Sequence, residues 1–210
     1  MKILFIGDSI TDAGRTNDKP PLGDGYVQNF TNMLKQEFHA KNFSIINKGI
    51  CGNTIEGLNL RWKWDVINQK PDLLFILIGI NDVHITQAHP LPEDQRITHF
   101  ESLYSSLILK TKEVLPGCTI VLLSPFYICR NKKNPVRITT EKYRKTIQSL
   151  SILHKLSFID LHNLFQTELI EGNEEKWSRD KVHPTPEGHY FIAGEIFKFF
   201  KESSLCRGIL

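Results

Sequence analysis

Asp180 and His183 have the spacing of an acid–base pair. They are three residues apart, so that the carboxylate can reach the Nδ1 side of the imidazole within one turn. An imidazole whose tautomer is set by a carboxylate can remove the proton of a serine hydroxyl. The serine that fits this role is Ser9, which follows Gly7 and Asp8 directly after a short apolar stretch. These residue types predict nucleophilic serine catalysis by Ser9, Asp180 and His183.

Acyl transfer also needs hydrogen-bond donors that face the oxygen on which negative charge develops. The segment from Gly49 to Thr54 contains a tight turn in which no side chain shields the backbone N–H of Gly52. Asn81, in Gly79-Ile-Asn-Asp82, supplies a side-chain amide. Gly52 and Asn81 are therefore the predicted donors of an oxyanion hole.

The elements that must position these groups alternate between strands and helices. Short apolar stretches rich in β-formers predict strands at 2–6, 43–48, 72–78, 118–124 and 156–160. Apolar residues at helical spacing predict helices at about 26–38, 100–115, 139–154, 161–170 and 186–202. This alternation favours parallel strands covered by helices on both faces, an α/β fold with three layers.

Ser9, Gly52 and Asn81 each follow a predicted strand. The carboxyl ends of parallel strands meet at one edge of the sheet, and open α/β sheets bind their ligands there. We therefore expect these three residues to lie close together. Asp8 and Asp82 are expected to brace their turns by accepting backbone N–H groups. The candidate substrate contacts, which include polar residues of the strand-end loops, are Asp8, Asn53, Arg61, His84 and Arg179.

Length and composition limit the class of protein. The chain has 210 residues, of which 40% are hydrophobic, and we expect one domain over residues 1–210. The 26 basic and 23 acidic residues leave a net charge of +3, which does not indicate a nucleic-acid partner. No signal peptide precedes the first predicted strand and no apolar stretch reaches membrane-spanning length, so we expect a cytoplasmic protein without membrane contact.

The cysteines predict neither a metal site nor a disulfide framework. Cys51, Cys118, Cys129 and Cys206 show no Cys-x-x-Cys spacing, and free thiols are the simplest interpretation. We expect no metal and no cofactor. The Phe-rich segment 197–200 is compatible with packing inside the chain or between copies of it, which leaves a homo-oligomer open.

Several other interpretations of the same residues remain. Asp160 and His162 form a competing carboxylate–imidazole pair two residues apart. Trp62, Trp64 and Trp177 are equally compatible with a sugar-binding platform and with packing in the core or at an interface.

Three other functions are possible for such a sheet. A non-catalytic, flavodoxin-like module that binds a small anion would explain the glycine turns but not Asn81, Asp180 and His183. A phosphoryl-transfer enzyme is disfavoured because the chain lacks a Gly-x-x-x-x-Gly-Lys-Ser/Thr motif. Among hydrolases, a lysophospholipase or thioesterase is the main alternative, although no amphipathic lid-like helix supports a lipid substrate.

The motifs together resemble the SGNH (GDSL) hydrolase superfamily. The matching blocks, in chain order, are Gly7-Asp8-Ser9, Gly52, Gly79-Ile80-Asn81-Asp82 and Asp180-x-x-His183. Further segments are similar to those of intracellular acetylxylan esterases and related sugar deacetylases: Asp12–Arg15, Gly25–Val27, Asn47–Gly49, Arg61-Trp62, Ser124–Tyr127 and Val182–Pro184. The chain departs from these esterases at His84 and Arg179, where they have tryptophan.

The resemblance implies a flavodoxin-like, five-stranded parallel sheet in an α/β/α sandwich. It implies that Ser9 is the nucleophile, that His183 is the base and that Asp180 orients it. The backbone N–H groups of Ser9 and Gly52, with the side chain of Asn81, would form the oxyanion hole. The implied activity is hydrolysis of short acyl esters, with a small acetylated sugar such as a xylo-oligosaccharide as the substrate.

Overall fold

A single parallel sheet of five strands organises the chain in the computed structural model, which describes residues 1–16, 20–39, 41–88, 91–169 and 173–203. The strands are β1 (Lys2–Gly7), β2 (Ser44–Gly49), β3 (Leu73–Leu77), β4 (Thr119–Leu123) and β5 (Ser157–Ile159). Their order across the sheet is β2-β1-β3-β4-β5. All five predicted strands are confirmed, and the predicted ends differ from the observed ones by a single residue at most.

The central strands are apolar because helices cover them on both sides. Every residue of β3 is buried, as expected for a strand inside a doubly covered parallel sheet. The chain order reverses direction between β1 and β3, since β2 lies on one side of β1 and the later strands lie on the other. Such a reversal opens a crevice at the carboxyl ends of the two strands.

Two layers of helices enclose the sheet. The helices are α1 (Ser9–Asp12), α2 (Tyr26–Glu37), α3 (Ile55–Asp65), α4 (Ile80–Ala88), α5 (Glu93–Val114), α6 (Pro135–Leu153), α7 (Leu161–Glu168), α8 (Glu174–Trp177) and α9 (Pro186–Glu202). α2 packs against α9, and α5 packs between α3 and α6. The predicted three-layer α/β/α architecture is confirmed.

Aromatic side chains join α2 and α9 to the sheet. Phe5 of β1 and Phe75 of β3 stack on each other, and Phe30 of α2 meets both edge-on. Phe200 of α9 is buried and lies edge-on against Phe30, while Phe199 contacts Phe75. The Phe-rich segment 197–200 therefore packs within the chain.

The predicted helices do not include α3 and α4, nor the four-residue helices α1 and α8. Ile55, Leu58 and Trp62 form the buried face of α3, but Leu60 and Trp64 on its other faces are 86% and 64% exposed. Apolar residues on several faces hide the helical period. α5 and α6 also begin earlier than predicted, because their first turns lack the apolar stripe, and α7 ends at Glu168, with residue 170 of its predicted range outside the described residues.

Two of the three tryptophans belong to the core. Trp62 is fully buried and its Nε1 donates to Thr111 Oγ1 at 3.0 Å. Trp177 is 5% exposed and packs against Phe165 and Phe191. Trp64 lies exposed in the last turn of α3.

Candidate active site

Ser9, His183 and Asp180 form a continuous chain of hydrogen bonds. Ser9 Oγ lies 2.9 Å from His183 Nε2, and His183 Nδ1 lies 2.6 Å from Asp180 Oδ2. In the tautomer with its proton on Nδ1, His183 donates to Asp180 and accepts the hydroxyl proton of Ser9. The arrangement is that of a serine nucleophile with an oriented base.

Asp180 is held as a carboxylate by the loop that contains it. Partial burial would raise its pKa, but the hydrogen bond from the His183 ring and those from the backbone N–H groups of His183 and Val182 outweigh that effect. The pKa of Asp180 therefore lies well below its usual range. A fixed negative charge at this point favours a protonated imidazole during the reaction.

The loop between α8 and α9 is fixed by backbone contacts on both sides. Ser178 and Pro184 form an antiparallel bridge, and Ile128 N donates to Lys181 O at 2.8 Å. Thr185 caps α9 by accepting from Gly188 N. The loop that contains Asp180 and His183 is thus held at several points along the backbone.

Ser9 is placed by a sharp turn at the end of β1. A Cβ atom on Gly7 would lie 2.2 Å from Leu77 O, so only glycine fits between β1 and the neighbouring β3. Asp8 then caps α1 by accepting from Ile10 N at 3.0 Å. Ser9 is the first residue of α1, at the carboxyl edge of the sheet.

Asp8 serves the turn, and its candidate role as a substrate contact is not supported. The residue is 1% exposed, so its carboxylate is out of reach of a bound ligand. Burial raises its pKa to about 7, against the opposing effects of the Ile10 N–H and of the nearby His183. This agrees with the prediction that Asp8 braces its turn.

The two other predicted oxyanion donors follow the strands on either side of β1. Gly52 has a φ of +75°, which favours glycine, and a Cβ atom added to it would project into open space. Asn81 lies in the first turn of α4, and its Nδ2 donates to Asn53 O at 2.9 Å. This bond uses one of the two N–H groups of the amide and leaves the other for a ligand. The oxyanion role of Ser9, Gly52 and Asn81 stays a prediction.

Arg61 points inward, which changes its expected role. Its guanidinium donates to Gly7 O at 2.9 Å, Lys48 O at 2.7 Å, Asn53 Oδ1 at 2.6 Å and Asp65 Oδ2 at 2.8 Å. These bonds use four of the five N–H groups of the guanidinium, and contact of Arg61 with substrate stays a prediction. Arg61 is therefore a positioning residue in this structure, because it joins the ends of β1 and β2 to the Gly52 turn.

The remaining candidate contacts lie near the surface. Arg179 is exposed and lines an open depression of about 780 Å³ together with Asp180 and His183. His84 is exposed on α4, with its ring centroid 6.5 Å from that of Tyr127. The side chain of Asn53 accepts from Arg61. Contact of these residues with substrate stays a prediction.

The competing pair, Asp160 and His162, is arranged for structure. Asp160 accepts from Arg144 Nη1 at 2.7 Å and from Asn163 N, which caps α7. His162 is buried, and its Nδ1 accepts from Tyr127 N. Burial lowers the pKa of His162 to about 4, so the ring is neutral and packed away from solvent.

Two further polar side chains brace the catalytic edge. Asp82 accepts from Ile55 N through both oxygens, at 3.2 and 3.3 Å, which confirms the prediction that it braces a turn. Asn47, for which the residues alone suggested no role, donates to Thr11 O and Leu22 O and accepts from Gly49 N. The available signal was an amide that directly follows the apolar pair Ile45-Ile46 in β2.

Within the described ranges, no three His, Cys, Asp or Glu side chains come together as metal ligands would. Cys51, Cys118 and Cys129 are free thiols, whereas Cys206 lies outside those ranges. None of the helices in the same part of the chain has the length and hydrophobicity needed to cross a bilayer.

The model of the GDSL-like lipase/acylhydrolase family matches residues 5–191. The chain belongs to this family. It is accordingly a carboxylic ester hydrolase, as its Ser9–His183–Asp180 geometry indicates.

Two relatives are similar over most of the chain. The acetylxylan esterase of Geobacillus stearothermophilus is 36% identical over 199 residues, which are 91% of this chain and 90% of that protein. The crystal structure of this esterase, Axe2, superposes with a TM-score of 0.85 at 35% identity and covers 94% of this chain and 92% of its own. LAE5, an alpha/beta hydrolase from the metagenome of Lake Arreo, gives a TM-score of 0.84 at 29% identity, with coverage of 94% and 93%.

A third relative matches only part of the chain. The uncharacterized lipoprotein YqeF of Bacillus subtilis (strain 168) is 43% identical over 97 residues, which are 45% of this chain and 37% of that protein. The resemblance to SGNH (GDSL) hydrolases and acetylxylan esterases, inferred from the motifs, is confirmed by these comparisons.

Proposed function

We propose that this hydrolase removes acetyl groups from small sugars through an acyl-enzyme on Ser9. The observation that supports this most is the hydrogen-bonded chain from Ser9 Oγ through His183 to Asp180. Both of its distances, 2.9 and 2.6 Å, are below the upper limit of about 3.2 Å for such hydrogen bonds. No further group is needed to activate the hydroxyl.

Acylation begins when His183 Nε2 takes the proton of Ser9 and Oγ bonds to the acetyl carbonyl carbon. The carbonyl oxygen becomes an oxyanion, which would accept from Ser9 N, Gly52 N and the free N–H of Asn81. His183 then gives its proton to the departing sugar oxygen as the ester C–O bond breaks. Asp180 stabilises the imidazolium between these two transfers.

Deacylation repeats the same steps with water. His183 takes a proton from the water molecule as its oxygen attacks the acetyl carbon of the acyl-enzyme. Return of that proton to Ser9 Oγ breaks the acyl–Oγ bond and releases acetic acid, which ionises in solution, and the starting state is restored. The chemistry is a two-step acyl transfer in which one base serves both halves.

The sugar part of the proposal is supported by similarity and by the polarity of the site. The relative that matches 91% of the chain is an acetylxylan esterase, and acetylated xylo-oligosaccharides are therefore the substrates that we propose. The depression beside His183 is bordered by Glu175, Lys176 and Arg179, whose charged groups can pair with sugar hydroxyls. We also propose a cytoplasmic location, which the free thiols support.

A substrate panel tests this proposal. Purified protein is given acetylated xylo-oligosaccharides, other acetylated sugars and p-nitrophenyl acetate, and released acetate is measured. We expect kcat/KM to be highest on acetylated sugars and Ser9→Ala to abolish all activities. A Ser9→Ala variant that retains turnover would disprove the assignment of the nucleophile, and equal rates on all acetyl esters would disprove sugar specificity.

A further inference from the structure

A second depression continues from the one beside His183. It has a volume of about 560 Å³ and lies between α8 and α9. Lys176, Pro186 and Glu187 border both depressions. The catalytic loop and the start of α9 therefore lie along one surface groove that leads away from the catalytic histidine.

The lining of this second depression combines aromatic faces with carboxylates. Tyr190 is 63% exposed, while the buried Trp177 packs against the half-buried Phe191. Glu187 and Glu195 lie on the same helix and also border the depression. Aromatic rings stack on the apolar face of a sugar ring, and carboxylates accept hydrogen bonds from its hydroxyls.

The direction of the groove matches the direction in which the alcohol part of the substrate must extend. His183 protonates the leaving oxygen, so the sugar that bears the ester lies beside His183 during acylation. The groove begins at this residue. Tyr190 follows Pro186 by four residues, about 6 Å along the axis of α9, which places its ring one helical turn beyond the catalytic loop.

We infer that the second depression, between α8 and α9, is a distal subsite that binds a second sugar unit of an acetylated oligosaccharide. The unit stacks on Tyr190, and its hydroxyls pair with Glu187 and Glu195. This inference rests on the proposed deacetylation of sugars and adds a preference for oligosaccharides over monosaccharides. The ester itself is cleaved at Ser9, outside the subsite.

Three variants test the subsite. Tyr190→Ala removes the ring, and Tyr190→Phe retains it without the hydroxyl. Trp64→Ala is the matched control, because Trp64 is 64% exposed, as Tyr190 is 63% exposed, but lies at the end of α3. For each variant, kcat and KM are measured on acetylated xylose, acetylated xylotriose and p-nitrophenyl acetate.

We expect Tyr190→Ala to raise KM for acetylated xylotriose about three- to tenfold, with little change in kcat. This factor corresponds to the binding free energy of one aromatic contact. Its activity on acetylated xylose and on p-nitrophenyl acetate should match that of the wild type. Tyr190→Phe and Trp64→Ala should behave as the wild type on all three substrates.

An unchanged KM for acetylated xylotriose in Tyr190→Ala would overturn the subsite proposal. An equal loss of activity on all three substrates would do the same. These outcomes differ from a failure of the proposed function itself. In that case the wild type would hydrolyse neither acetylated sugar faster than p-nitrophenyl acetate.

Discussion

At the scale of single residues, Asp180 has the clearest task in the site. It accepts four hydrogen bonds, from the His183 ring, from the backbone of Val182 and His183, and from Ser178 Oγ. These contacts keep its carboxylate ionised and directed at Nδ1. A change that preserves shape but removes the charge should therefore affect the chemistry alone.

We predict that Asp180→Asn folds normally and loses about three to four orders of magnitude in kcat, since the amide no longer selects the reactive tautomer. The measurement is initial-rate kinetics on p-nitrophenyl acetate, with circular dichroism as the check on folding. Asp160→Asn is the matched control and should retain most of its turnover. An inactive Asp160→Asn alongside a near-normal Asp180→Asn would reverse the assignment.

Arg61 acts through a relay of two hydrogen bonds. Its Nε holds the side chain of Asn53 at 2.6 Å, and the backbone oxygen of Asn53 accepts from Asn81 Nδ2 at 2.9 Å. The guanidinium thereby sets the orientation of an amide that we assign to the oxyanion hole. Burial lowers the pKa of Arg61, partly offset by the hydrogen bond to Asp65.

We predict that Arg61→Met lowers kcat by about ten- to a hundredfold with a small change in KM, because a misaligned donor is lost mainly from the transition state. Asn81→Ala sets the upper limit, at about 10²–10³-fold in kcat. Arg61→Lys should recover little, since an ammonium group does not reproduce the planar set of donors. An increase confined to KM would instead indicate a substrate contact.

At the scale of elements, the strand-end turns rely on buried carboxylates. Asp82 lies in the first turn of α4 and accepts a hydrogen bond from the first N–H of α3. Burial raises its pKa to about 7, and the nearby Asp8 and Glu56 add to that increase, although the Ile55 N–H opposes it. The contact between α3 and α4 therefore includes a carboxyl group whose raised pKa favours the neutral form.

The raised pKa of Asp82 has a definite consequence for stability. Its folded-state value of about 7 exceeds the ordinary 3.8, so the native state binds more protons between these values. The favourable contribution of the neutral carboxyl is complete below about pH 4 and is lost as the pH rises through 7. We predict that Asp82→Asn, whose oxygen still accepts from Ile55, is more stable than the wild type at pH 8 by about 1–3 kcal/mol.

Urea unfolding at pH 5 and at pH 8 checks this prediction. The advantage of the variant should be small at pH 5 and should grow toward pH 8. Lys70→Gln, an exposed residue in the connection before β3, is the control and should show no such growth. An advantage that is the same at both pH values would contradict the raised pKa.

At the scale of the whole molecule, the catalytic edge is open. Ser9 and His183 are joined at the surface, and the depression that His183 lines is bordered by charged side chains. A site that shelters a long acyl chain would gain about 0.8 kcal/mol for each methylene group that it buries. The side chains of His183 and Asp180 are 54% and 55% exposed, so this catalytic pair faces solvent and not an apolar pocket.

We therefore predict that rates on p-nitrophenyl esters fall steeply from acetate to butyrate to octanoate. Values of kcat/KM at low substrate concentration give the comparison, and a commercial lipase assayed in parallel shows that the longer esters are accessible. Octanoate hydrolysis as fast as that of acetate would replace the deacetylase proposal with a lysophospholipase or thioesterase.

The sequence by itself determined the sheet and the chemistry at its edge. The central strands β1, β3 and β4 are short apolar segments that are buried almost throughout, and that local composition was enough to locate them without tertiary information. The blocks around Ser9, Gly52, Asn81 and Asp180–His183 combine residue types that acyl transfer requires. Their order along the chain was enough to predict an esterase of this family.

Tertiary structure alone decided between equivalent local patterns. Asp160–His162 and Asp180–His183 look alike in sequence, yet the first pair is engaged by Arg144 and the Tyr127 N–H, while the second reaches Ser9 across 174 positions. The inward direction of Arg61, whose guanidinium bonds to the end of β1, was likewise not visible in the sequence. The exposed Leu60 and Trp64 concealed α3. Side-chain direction depends on partners that are distant in the chain, and a local pattern contains no record of them.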